Sequence, residues 1–139
     1  MRHIFMDTNV VIDFLADRQP FSLHAAKLFD LSLDGKVKLY VSAISYNNIY
    51  YILRQSLTNN ATIKLLEELE EMTDIIDVTK TIIKQSLKTD FKDYEDAIQY
   101  HCALSKPKID FIVTRDTKDF KKSTLPVLTP SEAIGSLDN

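Results

Sequence analysis

The chain has 139 residues, 45% of them hydrophobic, which suits one domain able to bury about 68% of the surface its unfolded form exposes. A single cysteine, Cys102, excludes an internal disulfide and any thiolate zinc cluster built from this chain alone, and a net charge of −3 argues against a surface coated with basic groups for long duplex nucleic acid. The apolar runs fall far short of the about 20 residues needed to cross a bilayer, and nothing after Met1-Arg2-His3 reads as a signal segment, so a soluble, cytoplasmic chain with no membrane partner is expected.

In chain order, residues 2–6 read as a buried strand, followed by a short helix around 11–16 and a turn at 17–20. Ser22 can cap a helix running to about Leu33, with Gly35 as its stop, and 37–42 is a second strand. Ser45 opens a tyrosine-rich helix to about Leu57, and Asn60 or Thr62 opens another whose Ile63, Leu65, Leu66, Leu69 and Met72 recur at helical spacing. Residues 74–78 form a third strand, Thr79 caps a lysine-bearing helix, and 91–104 is a further helix that Pro107 closes off. A fourth strand at 109–114, a short one at Val127-Leu128 and a last helix opened by Thr129-Pro130 complete the order. Strands separated by helices predict an α/β fold, a three-layer sandwich around a central, mostly parallel sheet.

Three acids stand out against this frame. Asp7 follows the apolar run Ile4-Phe5-Met6, Asp116 follows a strand end at Thr114-Arg115, and Asp96 lies inside the helix leading to Leu104. The carboxyl ends of parallel strands share one rim, so acids placed there meet in space although distant in sequence. Clustered carboxylates repel unless a hard cation neutralises them, and the oxygen-only donor set points to Mg²⁺ or Mn²⁺. Asp7 can alternatively cap the next helix, a task open equally to Thr8 and Asn9. Asp93 shares a helix face with Asp96 and fits first-turn complementarity to the helix dipole. Asp119 can supply a water-mediated ligand or pair with nearby lysines, and Thr114 can hydrogen-bond a carboxylate or a substrate phosphate.

Basic residues gather near these acids. Arg115, Lys118, Lys121 and Lys122 follow Asp116, and Lys80, Lys84, Lys88 and Lys92 recur every four residues; either group is a solvated face or a set of phosphate contacts. His3, His24 and His101 lack metal-ligand spacing, Ser42 and Ser45 have no histidine suited to activate them, and no glycine-rich phosphate loop exists. Tyr46, Tyr50 and Tyr51, at helical spacing, fit a homodimer or partner surface better than base stacking.

Taken together, Met6-Asp7-Thr8-Asn9-Val10-Val11-Ile12-Asp13, Val41-Ser42 with the tyrosine-rich helix, Asp93-Tyr94-Glu95-Asp96-Ala97-Ile98 and Val113-Thr114-Arg115-Asp116 through Phe120 resemble the PIN domain, the nuclease fold that includes the toxin ribonucleases of bacterial toxin/antitoxin pairs. The resemblance covers nearly the whole chain and implies that Asp7, Asp96 and Asp116 are the catalytic metal ligands, with Asp119 as an outer member and Thr8, Asn9 and Thr114 orienting them. It also implies a glutamate where this chain has Asn48, whose amide oxygen can coordinate a metal but brings no charge and cannot act as a base. The implied activity is metal-dependent hydrolysis of RNA phosphodiesters, with an antitoxin protein as partner. The alternative is a catalytically weakened PIN-fold module that binds RNA or a protein without cutting. A phosphatase forming an aspartyl-phosphate fits poorly, because Asn9 stands where its second aspartate belongs.

Overall fold

In the computed structural model, which describes residues 1–137, five strands form one sheet: β1 (Arg2–Met6), β2 (Val37–Ser42), β3 (Asp74–Ile76), β4 (Phe111–Val113) and β5 (Val127–Leu128). Their order is β3-β2-β1-β4-β5, and each neighbouring pair is parallel. Parallel strands cannot be joined by tight hairpins, so helices carry the returns. These are α1 (Thr8–Leu15), α2 (Ser22–Leu33), α3 (Ala43–Leu53), α4 (Asn59–Met72), α5 (Lys80–Lys88) and α6 (Tyr94–Leu104); a 3-10 turn (Thr117–Phe120) links β4 to β5, and α7 (Pro130–Leu137) follows.

Side chains of a strand alternate between faces, and here both faces are buried. Ile4, Met6, Leu39, Val41, Phe111 and Val113 pack with Val10, Leu28, Phe29, Ile49 and Leu69 into one core. Phe5, Tyr40 and Ile112 point the other way and meet Ile82, Ile98, Cys102 and Phe120. The result is the expected three-layer α/β sandwich.

Several boundaries differ from the sequence expectation, and at the starts of α1, α3, α4 and α6 a capping side chain explains the shift. The first helix begins at Thr8, three residues early, because Asp7 itself caps it and accepts from the Thr8 amide. Helix α3 begins at Ala43 with Ser42 as its cap, rather than at Ser45, and ends at Leu53. Thr58, not Asn60 or Thr62, caps α4 by accepting from Ala61 N. Asp93 caps α6 at Asp96 N, so residues 91–93 lie outside the helix. Ser22 is the first residue of α2 and caps nothing; the preceding Phe21 has no side-chain bond to offer. Thr79 and Thr129 cap as expected, the latter in a reciprocal pair with Glu132. Helix α5 stops at Lys88, so Lys92 does not continue its lysine row. No helix among the described residues is long and apolar enough to cross a membrane.

Candidate active site

Successive connections leave β1 toward β2 on one side, while β4 pairs with it on the other. In such a sheet the crevice beyond the carboxyl ends of the two strands at the reversal is the natural ligand site. Asp7 ends β1, Thr114 and Asp116 follow β4, and the first turn of α6 brings Asp93, Glu95 and Asp96 to the same place. The acids among these, with Asp119, Thr8, Asn9 and Arg18, line an open cleft of ≈ 290 Å³, and Thr114 lies buried behind them. That is at or below the lower end for a site enclosing a drug-sized ligand.

Asp7 is the anchor of the cleft. Its Oδ1 accepts the Thr8 amide at 2.8 Å and its Oδ2 accepts the Thr114 hydroxyl at 2.8 Å, while its own amide donates to Val113 O. Burial pushes its carboxyl up to about 6, against the pull of those two hydrogen bonds, and the charges of Glu95 and Asp116 add to the rise. Asp96 is pushed up to about 7, first by desolvation and then by Asp7, Asp93, Asp119 and Glu95. Two carboxyls held above their ordinary range are groups whose charge the protein alone does not neutralise.

The surrounding bonds fix the rim. Asn9 Nδ2 reaches Asp116 Oδ2 at 3.3 Å and Thr114 Oγ1 at 3.4 Å, and its Oδ1 accepts from Arg115 N. Asp116 N donates to Thr114 Oγ1 at 3.1 Å. Thr114 therefore connects the strand end, Asp7 and the Asp116 loop. Beneath the floor, Gln99 Nε2 donates to Thr8 Oγ1 and Ser45 Oγ, and Ser42 donates to Gln99 Oε1 at 2.9 Å. This fully satisfied network locks α6 to α1 and α3.

The sequence reasoning placed Asp7, Asp96, Asp116 and Asp119 on one site, and they do line one cleft; Asp93, Thr8 and Asn9 join them. None of these acids is engaged in an ion pair among the described residues, so the lysine pairing open to Asp119 is not made. Among the described residues, however, no three acids or histidines converge tightly enough to enclose an ion as they stand. The donor chemistry, all carboxylate and amide oxygen with unrelieved negative charge, fits a hard divalent cation.

Arg115, expected to contact RNA, is otherwise occupied. Its Nε donates to Asp13 at 2.6 Å and its guanidinium sits 4.1 Å from the Phe21 ring centroid. Asp13, 1% exposed, needs that partner, since burial raises its carboxyl even with Arg115 beside it. Lys118 remains exposed and lines, with Lys92, Lys121 and Asp119, a hollow next to the cleft. Tyr46 packs on the core instead of facing a partner, whereas Tyr51 is 64% exposed.

Three contributors escaped the sequence reading. Gln99 carried a signal, as a lone amide in an apolar run three residues after Asp96. Glu95 was masked by its acidic neighbours. Arg18 gave none, because only the turn after Asp17, at φ 49°, brings it to the cleft.

Comparison with known proteins agrees with this fold. The family model described as PIN domain matches residues 3–118, and the chain belongs to that family. Among solved structures, DNA-bound VapBC from Salmonella typhimurium is similar at TM-score 0.69 and 16% identity, covering 94% of this chain and 99% of that one. A toxin-antitoxin complex from Klebsiella pneumoniae gives TM-score 0.66 and 23% identity over 91% and 97% of the two chains. VapC20 of Mycobacterium tuberculosis, a sarcin-ricin loop cleaving toxin, gives TM-score 0.62 and 15% identity over 78% and 86%. No curated protein sequence is similar enough to match.

Proposed function

We propose that this protein is a metal-dependent endoribonuclease, the toxin of a toxin/antitoxin pair acting in the cytoplasm. The observation that carries the reading is the convergence of Asp7, Asp96, Asp116 and Asp119, drawn from three distant segments, on one cleft at the carboxyl ends of β1 and β4. Membership of the PIN family and a fold shared with toxin-antitoxin complexes and with an RNA-cleaving toxin support it.

Asp7, Asp96 and Asp116 would hold Mg²⁺ or Mn²⁺, with Asp119 at its outer edge. When bound, the cation supplies a Lewis acid beside the scissile phosphodiester. Thr114 and Thr8 hold Asp7 in one orientation, and Asn9 holds Asp116. Arg18 and Lys118 bind the flanking phosphates, the former inside the cleft and the latter at its border with the basic hollow. The partner is an antitoxin protein, and a second copy of this chain packs on the exposed Tyr51 face of α3.

The test is incubation of pure protein with structured and single-stranded RNAs in Mn²⁺, Mg²⁺ or chelator, beside Asp7→Asn. Cleavage that needs the metal and disappears in the variant is expected. RNA binding without cleavage under every metal condition would overturn the enzyme reading.

A further inference from the structure

Six carboxylates border the cleft, and among the described residues two of them accept from a side-chain amide on another element: Asp116 from Asn9 at 3.3 Å, and Glu95 by a shorter bond. Asn48, on α3, donates from Nδ2 to Glu95 Oε1 at 2.8 Å, across 47 residues of sequence. Asn48 does not itself line the cleft; Glu95 does. Among the described residues, Glu95 has no lysine or arginine within ion-pair distance, and its Oε2 has no protein donor. Glu95 is exposed in the first turn of α6, where solvent alone would satisfy a carboxylate, so what the Asn48 contact adds is a fixed orientation.

The helix geometry makes the placement informative. Consecutive residues on a helix point about 100° apart, so Glu95 and Asp96 share a cleft only because α6 begins at it, with Asp93 as its cap. A carboxylate placed against two others without a neutralising cation adds repulsion that an ion in the cleft would relieve.

We propose that Glu95 supplies a further carboxylate to the cation site from α6, and that the Asn48 amide is the positioning group that turns it inward. The acid that the family resemblance puts on α3 thus enters from the neighbouring helix, with α3 contributing its orienter. This rests on the metal-site reading above. Asn48 is then a working part of the site rather than a missing acid.

The probe is Mn²⁺ alone, titrated into the full-length protein and followed by the electron paramagnetic resonance of the free ion, with circular dichroism to verify folding. Glu95→Gln, which keeps an oxygen for Asn48, is expected to weaken Mn²⁺ binding about 10-fold or more, and Asn48→Ala to weaken it less, in keeping with the loss typical of ligand-orienting partners. Combining Asn48→Glu with Glu95→Gln is expected to recover most of the loss, because the carboxylate re-enters from α3. If Glu95→Gln binds Mn²⁺ as the wild type does while Asp7→Asn does not, Glu95 has no part in the site and the metal reading stands without it. If the wild type takes up no Mn²⁺ at all, both proposals fall.

Discussion

Asp7 performs two tasks with one carboxylate, capping α1 through Thr8 and facing the cleft with the charge that burial opposes. Its carboxyl sits near 6 in the fold against 3.8 unperturbed, so between those values the folded chain holds a proton that the unfolded chain has released. The contribution is full below about 4 and is lost as pH rises through 6, and Asp96, near 7, extends the window upward. In chelator, the melting temperature is therefore expected to fall from pH 5 to pH 7.5, and the Asp7→Asn, Asp96→Asn double variant should show a flatter profile. An unchanged slope in that variant would mean the two carboxyls titrate normally. Arg115 yields a second prediction at this scale: Arg115→Ala strands buried Asp13 and should cost about 3 kcal/mol in urea unfolding, near the lower end for breaking a buried pair since the arginine is partly exposed. A loss below about 0.5 kcal/mol, the size of an ordinary surface change, would show that water reaches Asp13 freely.

At the level of elements, the cleft depends on how α6 meets α1 and α3, and Gln99 is the joint. It is completely buried and its amide satisfies Thr8, Ser45 and Ser42 together. Gln99→Leu keeps the approximate volume but leaves three hydroxyls short of a partner, a change expected to cost about 2–3 kcal/mol. Because the joint sits under Asp7 and the first turn of α6, the same variant should lose Mn²⁺ affinity as well as stability. Stability lost with affinity retained would confine Gln99 to packing. Ser42 was legible as a strand end but not as the α3 cap, and Asp93 as a first-turn acid but not as the α6 cap. Caps are chosen by which side chain reaches the orphan amides once the chain has turned, and neighbouring serines or acids look alike beforehand.

For the whole molecule, charge separates into an acidic cleft and an adjoining basic hollow that share Asp119. Two of the hollow's charges are spoken for, since Lys122 pairs with Asp90 at 2.7 Å. Replacing Lys118 and Lys121 by glutamate should weaken RNA binding on all sequences and flatten its dependence on salt, by a slope change of about one per lost phosphate contact. An unaltered slope would place the RNA elsewhere. Divalent cation should raise the melting temperature at pH 7, because an ion bound only by the folded state stabilises it by about 2.7 kcal/mol at one hundred times its dissociation constant. Asp7→Asn should abolish that gain.

Element order, the parallel sheet and the strand-end acids were all present in the one-dimensional pattern, because periodicity of 2 or 3.6 and apolar runs ending in a carboxylate are local properties of the chain. Which polar groups face one another is not local. The Asn48 clamp on Glu95, the Gln99 joint, the withdrawal of Arg115 to Asp13 and the arrival of Arg18 each join elements remote in sequence or turn on one loop conformation. They were decided by helix packing and by the need of every buried charge and amide to find a partner.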